Sequence, residues 1–128
     1  MTAELAQILL IFCLITTFFY GSKGIFLVTR ISKPSTLASL RNALSQTALL
    51  VMIITLTCFL LLMQLFIVSD FSVLNVAQNS NALLPLQYKV AATWGSHEGS
   101  FLLWVLMLSF WTAGVAIFSK PLEDKFQI

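Results

Sequence analysis

The run ALSQTALLVMIITLTCFLLLMQLFIV, residues 43–68, decides the fold. It holds no Asp, Glu, Lys or Arg. A helix needs about 20 predominantly apolar residues to cross about 30 Å of hydrocarbon, and this run is long enough. Two further runs meet the same requirement. One covers about 5–28. Its densest part, Leu5 to Tyr20, would reach only about 24 Å at 1.5 Å per residue. The span therefore continues past Gly21, Ser22 and Gly24 to Ile25–Val28, where the apolar pattern resumes, and Lys23 snorkels to the interface. The third covers about 99–118, again without charge, with an alternative start near Tyr88. The expected architecture is an all-α membrane protein with three transmembrane helices, part of a larger polytopic bundle. It forms a single membrane domain over 1–128.

Composition agrees. Of 128 residues, 59% are apolar and 9% charged, against about 25% charged in a soluble domain. The mean hydropathy is +0.94. A soluble globular domain and a disordered tail are excluded. So is a nucleic-acid binder, because a basic groove needs clustered Lys and Arg and the seven here are scattered. The partner implied directly is the lipid bilayer. The two cysteines, Cys13 and Cys58, fall inside apolar runs on different helices. They read as small residues in helix interfaces rather than a disulfide framework. The opening segment carries Glu4 and no basic residue before its apolar run, and no small-residue cleavage site follows. It reads as a retained anchor, not a signal peptide.

The basic residues orient the chain. The first connection holds Lys23, Arg30, Lys33 and Arg41 with no acid; the second holds only Lys89; the tail, 119–128, holds Lys120 and Lys125. The positive-inside rule puts the first connection and the C-terminus in the cytoplasm. The N-terminus and the connection 69–98 then lie outside. The basic connection also suits anionic lipid. Gln46, Thr47, Thr55, Thr57 and Gln64, in or near the second span, predict interhelical hydrogen bonds.

The outer connection is polar and turn-forming through Asn75, Gln78, Asn79, Ser80, Asn81 and Pro85, then reaches Trp94-Gly95-Ser96-His97-Glu98-Gly99. Burying an acidic residue at a helix centre costs about 2.5–3.5 kcal/mol, so His97 and Glu98 belong at the interface where the third span starts. A Glu there is also favoured by the helix dipole, by about 0.3–1 kcal/mol. His97, Phe101, Trp104, Leu108 and Trp111 recur at helical spacing and share one stripe. This could be an aromatic belt or packing face. It could also be a wall suited to a planar apolar ligand. Gly95 and Gly99 form a G-x-x-x-G pair, which predicts close approach of a second helix, with Ser96 and Ser100 extending the small surface. No phosphate loop, paired carboxylates or nucleophile-with-base arrangement appears, so no catalytic residue is assigned. A single His cannot make a two-His metal site, and no metal ligand is assigned.

The run LPLQYKVAATWGSHEGSFLLWVLMLSFWTAGVAIFS, preceded by DFSVLNVAQNSN, resembles the N-terminal region of the CcmF family, heme lyase subunits of cytochrome c maturation; the NrfE-type lyases are close relatives. WGSHEGSFLLW, residues 94–104, carries the most specific part, with Phe101 where the family usually has Leu. The resemblance extends over the whole chain, but family members are several times longer, and their Trp-rich segment and heme-ligating histidines lie beyond the matched region. It therefore implies an N-terminal fragment or one piece of a split lyase, inactive alone. It implies heme as substrate, bound mainly by parts of the lyase outside this chain. The implied partners are a heme chaperone and other cytochrome c maturation subunits, apocytochrome c, and the remaining lyase helices. The implied location is the cell inner membrane, multi-pass, or the mitochondrial inner membrane for an organelle-encoded chain. The candidate heme or partner surface is His97, Trp94, Glu98 and Trp104.

Two other readings stand beside this one. A small helical accessory subunit of a respiratory or transporter complex would share the composition without a heme role. A proton or ion pathway through His97 and Glu98 would need ionisable residues at several depths, and the third span has none below its outer end.

Overall fold

The computed structural model describes residues 1–30 and 34–118. Five helices follow in chain order: α1 Thr2–Val28, α2 Pro34–Val68, α3 Leu74–Asn79, α4 Leu86–Gly95 and α5 His97–Phe118. No strand occurs among the described residues. Three stretches are long and apolar enough to cross a membrane: Thr2–Phe26, Ala38–Val68 and His97–Phe118.

Two of these helices exceed their apolar runs. α1 starts at Thr2 and passes through Gly21 and Gly24 without a break. α2 starts at Pro34, well before the charge-free run at Ala43. A helix needs only its backbone hydrogen bonds, so it continues through Arg41 and Asn42 where hydropathy no longer marks it. Pro suits a first helical position, whose N–H has no intrahelical partner.

α2 lies between α1 and α5 and contacts both, whereas α1 and α5 touch each other little. One cluster joins Cys13, Ile54 and Cys58, with Leu9, Val51 and Leu102 against it. Both thiols are buried and free. A second cluster joins Leu65, Phe66 and Val76, with Ala3, Leu62, Val73 and Ala92 around them. Phe66 and Val76 are completely buried, so Val76 anchors the short α3 onto the end of α2.

The polar residues of α2 divide. Thr55 Oγ1 and Ser109 Oγ lie 3.0 Å apart and tie α2 to α5. Cys58 Sγ donates to Ala6 O on α1 at 3.6 Å. Thr47 and Thr57 instead bond back to Ala43 O and Ile53 O on their own helix, and Gln46 and Gln64 are exposed. Of the five residues expected to bond between helices, Thr55 does so.

α2 ends in a Schellman turn: Ser69 N–H donates to Phe66 O at 3.2 Å and Asp70 N–H to Leu65 O at 3.0 Å. This requires a left-handed residue, and Ser69 takes that conformation at φ 57°. The turn satisfies two of the last carbonyls of α2 and redirects the chain. Asp70 Oδ1 then accepts from Ser72 N–H at 3.2 Å, which shapes the entry to α3.

Candidate functional site

The WGSHEG motif straddles a helix break. α4 ends at Gly95, Ser96 is extended at φ −74° and ψ 154°, and α5 begins at His97. The third span therefore does not run back to Tyr88; α4 is a separate helix. Ser96 serves both ends. Its backbone N–H donates to Ala92 O at 3.1 Å and closes α4. Its hydroxyl accepts from Gly99 N–H at 3.1 Å and caps α5. The same hydroxyl donates to Thr93 O at 3.1 Å and accepts from Asn75 Nδ2–H at 3.3 Å. A hydroxyl has one donor and two acceptor sites, and all are used. Ser96 is 1% exposed, where an unmade bond would be costly.

Gly99 is required by this break. A Cβ there would lie 1.6 Å from Thr93 O and 2.7 Å from Ser96 Oγ. Only a residue without a side chain lets the end of α4 come so near the first turn of α5. At Gly95 a Cβ would meet nothing within 4 Å. The expected G-x-x-x-G crossing is therefore not what the structure contains: one glycine faces open space and the other faces its own chain. Ser96 is enclosed in the break and Ser100 is exposed, so they do not extend a shared small surface.

Beside the break is a cleft of about 560 Å³ between α1, α2 and α5. Leu10, Cys58, Leu62, Leu65, Leu102 and Val105 give it apolar walls. Gln7, Asn75, His97 and Glu98 are its polar lining residues. The N-terminal end of α1, the C-terminal end of α2 and the N-terminal end of α5 meet here, so both the motif and the N-terminus lie at one end of the bundle.

The structure divides the candidate residues. His97 and Glu98 line the cleft, together with Phe101. Trp94, on α4, is 43% exposed and Trp104, on α5, 57% exposed, and neither lines the cleft. The stripe below His97 is exposed throughout, with Phe101 and Trp104 in tilted ring contact at 5.9 Å. Trp104, Leu108 and Trp111 face outward, whereas Phe101 also lines the cleft. Among the described residues no group of three His, Cys, Asp or Glu could hold a metal ion.

Sequence reading missed Asn75 and the capping role of Ser96. Ser96 was legible in principle, since a Ser just before a long apolar helix is a cap signal. Asn75 had no local signal, because its partner lies far along the chain.

These features define a membrane protein segment of three apolar helices with a capped polar break at one end. The chain is homologous to the cytochrome c-type biogenesis proteins CcmF, CycK and NrfE. It is 61% identical over 67 residues, 51% of the chain, to "Cytochrome c-type biogenesis protein CcmF" of Escherichia coli (strain K12). It is 39% identical over 124 residues, 97% of the chain, to "Cytochrome c-type biogenesis protein CycK" of Rhizobium meliloti (strain 1021). It is 53% identical over 70 residues, 55% of the chain, to "Probable cytochrome c-type biogenesis protein NrfE" of Escherichia coli (strain K12). These matches cover 10%, 18% and 12% of the respective relatives, so the chain spans a minor part of their length. No family model and no solved structure matches it significantly.

Proposed function

We propose that the chain is the N-terminal part of a cytochrome c-type biogenesis heme lyase subunit. It helps transfer heme and attach it covalently to apocytochrome c at the outer face of the inner membrane. The observation that carries this is 39% identity to a cytochrome c-type biogenesis protein across 97% of the chain. Heme is the substrate, and the chain's contribution is binding and orientation. The cleft offers one imidazole and apolar walls, and among the described residues no Lys or Arg lines it. That set suits a supporting contact rather than a complete heme site, because one imidazole would supply at most one ligand to the iron and the Glu98 carboxylate would disfavour the propionates. Other parts of a complete lyase bind heme for the most part. His97, Glu98, Trp94 and Trp104 contact heme, the heme chaperone or the apocytochrome. The remaining lyase helices and lipid cover the apolar outer faces of α1 and α5.

The charge pattern supports an orientation with the motif outside. Lys23, Arg30 and Arg41 belong to the end of the bundle opposite His97, and Lys89 is the one cation between α2 and α5. By the positive-inside rule that opposite end is cytoplasmic. His97→Ala in the full-length protein tests the reading. A fall in holocytochrome c yield at unchanged protein level is expected, and a wild-type yield would reduce the motif to packing.

A further inference from the structure

We infer that Asn75 is the positioning residue of the motif: through Ser96 it fixes where α5 begins and so holds His97 and Glu98 on the wall of the cleft. The inference rests on the proposed role of that surface. Three observations carry it. Ser96 Oγ has a single remaining acceptor site once it has donated to Thr93 O and capped Gly99, and Asn75 Nδ2 fills it at 3.3 Å. The Asn75 amide is itself oriented, because Asn79 Nδ2 donates to both Asn75 Oδ1 and Asn75 O at 2.9 Å. The helix bearing both is anchored by the adjacent Val76, which is completely buried among Leu65, Phe66 and their neighbours. A relay therefore runs from Asn79 through Asn75 and Ser96 to the Gly99 N–H. It connects the outer connection to the first turn of α5.

The arrangement divides the work between two kinds of interaction. Val76 fixes α3 on the end of α2 by apolar burial, which is insensitive to direction. Asn75 adds direction, because a hydrogen bond weakens steeply off its axis. A capped helix start with a fixed first residue gives neighbouring side chains a fixed outlook. Without Asn75, Ser96 still caps Gly99 and bonds to Thr93 O, but it loses the bond that ties the capped break to α3.

The test uses the full-length protein in native membranes, with Cys13 and Cys58 replaced by Ala. A single cysteine is placed at Glu98 (E98C), or at Ala82 (A82C) as a control on the same connection. The rate of modification by an impermeant maleimide is measured with and without Asn75→Ala. A second relay variant, Asn79→Ala, is milder because Asn79 is exposed. Holocytochrome c yield is scored separately for both relay variants in the protein with native Glu98. Position 98 is already exposed, so the relay sets its outlook rather than its burial. The expected result is a rate at position 98 changed by up to about tenfold, the range one neutral hydrogen bond can shift an equilibrium between outlooks. The rate at position 82 stays constant and the yield falls. An unchanged rate at position 98 in both variants overturns the inference. So does an equal change at positions 82 and 98, which marks general loosening. A changed rate at position 98 with wild-type yield leaves the positioning role standing and removes the proposed role of the surface.

Discussion

Gly95 and Gly99 look equivalent in the sequence, yet alanine at the two positions should change stability in opposite directions. At Gly99 the new Cβ would lie 1.6 Å from Thr93 O and 2.8 Å from Thr93 C, both backbone atoms, where ordinary contact starts at 3.4 Å. The carbonyl must retreat by well over an ångström. It cannot do so without disturbing the Ser96 hydroxyl that donates to it and caps α5. Overpacking of this kind costs about 1–3 kcal/mol, and a lost cap about 1 kcal/mol. The better helix propensity of Ala returns about 1 kcal/mol, so Gly99→Ala should destabilise by about 1–3 kcal/mol. Gly95 meets no obstacle within 4 Å and has no positive φ. Gly95→Ala should therefore stabilise, by at most about 1 kcal/mol. The thermal unfolding midpoint of the full chain in detergent micelles reads both variants. A thiol-reactive dye reports unfolding, because Cys13 and Cys58 are buried and free. A Gly99→Ala protein as stable as wild type would refute the reasoning. Equal damage from Gly95→Ala would also refute it, and would restore the idea of a close helix crossing.

Other substitutions probe the remaining elements. Phe66→Ala removes a completely buried ring from the junction of α2 and α3 and should cost about 3–5 kcal/mol, lowering the same midpoint. Ser69→Gly relieves the left-handed residue that ends α2 and should raise stability by up to about 1 kcal/mol once the extra freedom of glycine in the unfolded chain is counted. Orientation is read by single cysteines at the exposed Ser35 and Ala82, again without Cys13 and Cys58. An impermeant thiol reagent added outside should modify position 82 alone, and modification of position 35 instead would invert the topology.

The sequence by itself determined the class of protein and its three long helices. Hydropathy is a sum over many residues, and the penalty for exposing apolar surface or burying charge does not depend on what the neighbours are. The charge-free run at Ala43–Val68 could be little else. The sequence also singled out WGSHEG, whose residue types sit badly in mid-bilayer. The helix boundaries were less legible, because Arg41 and Asn42 continue α2 outside the apolar run.

The tertiary structure decided how the motif is built. The carbonyl that Gly99 must accommodate belongs to the end of α4, and it comes close only because Ser96 breaks the helix there. Asn75 reaches Ser96 because Val76 is buried against α2, a contact that depends on how the connection folds back. His97 and Glu98 share a cleft with Gln7 of α1, while Trp94 and Trp104, close to them in sequence, do not. Spacing along a helix says which residues share a face. Which face meets another helix, and which stays open, depends on packing between segments distant in the chain.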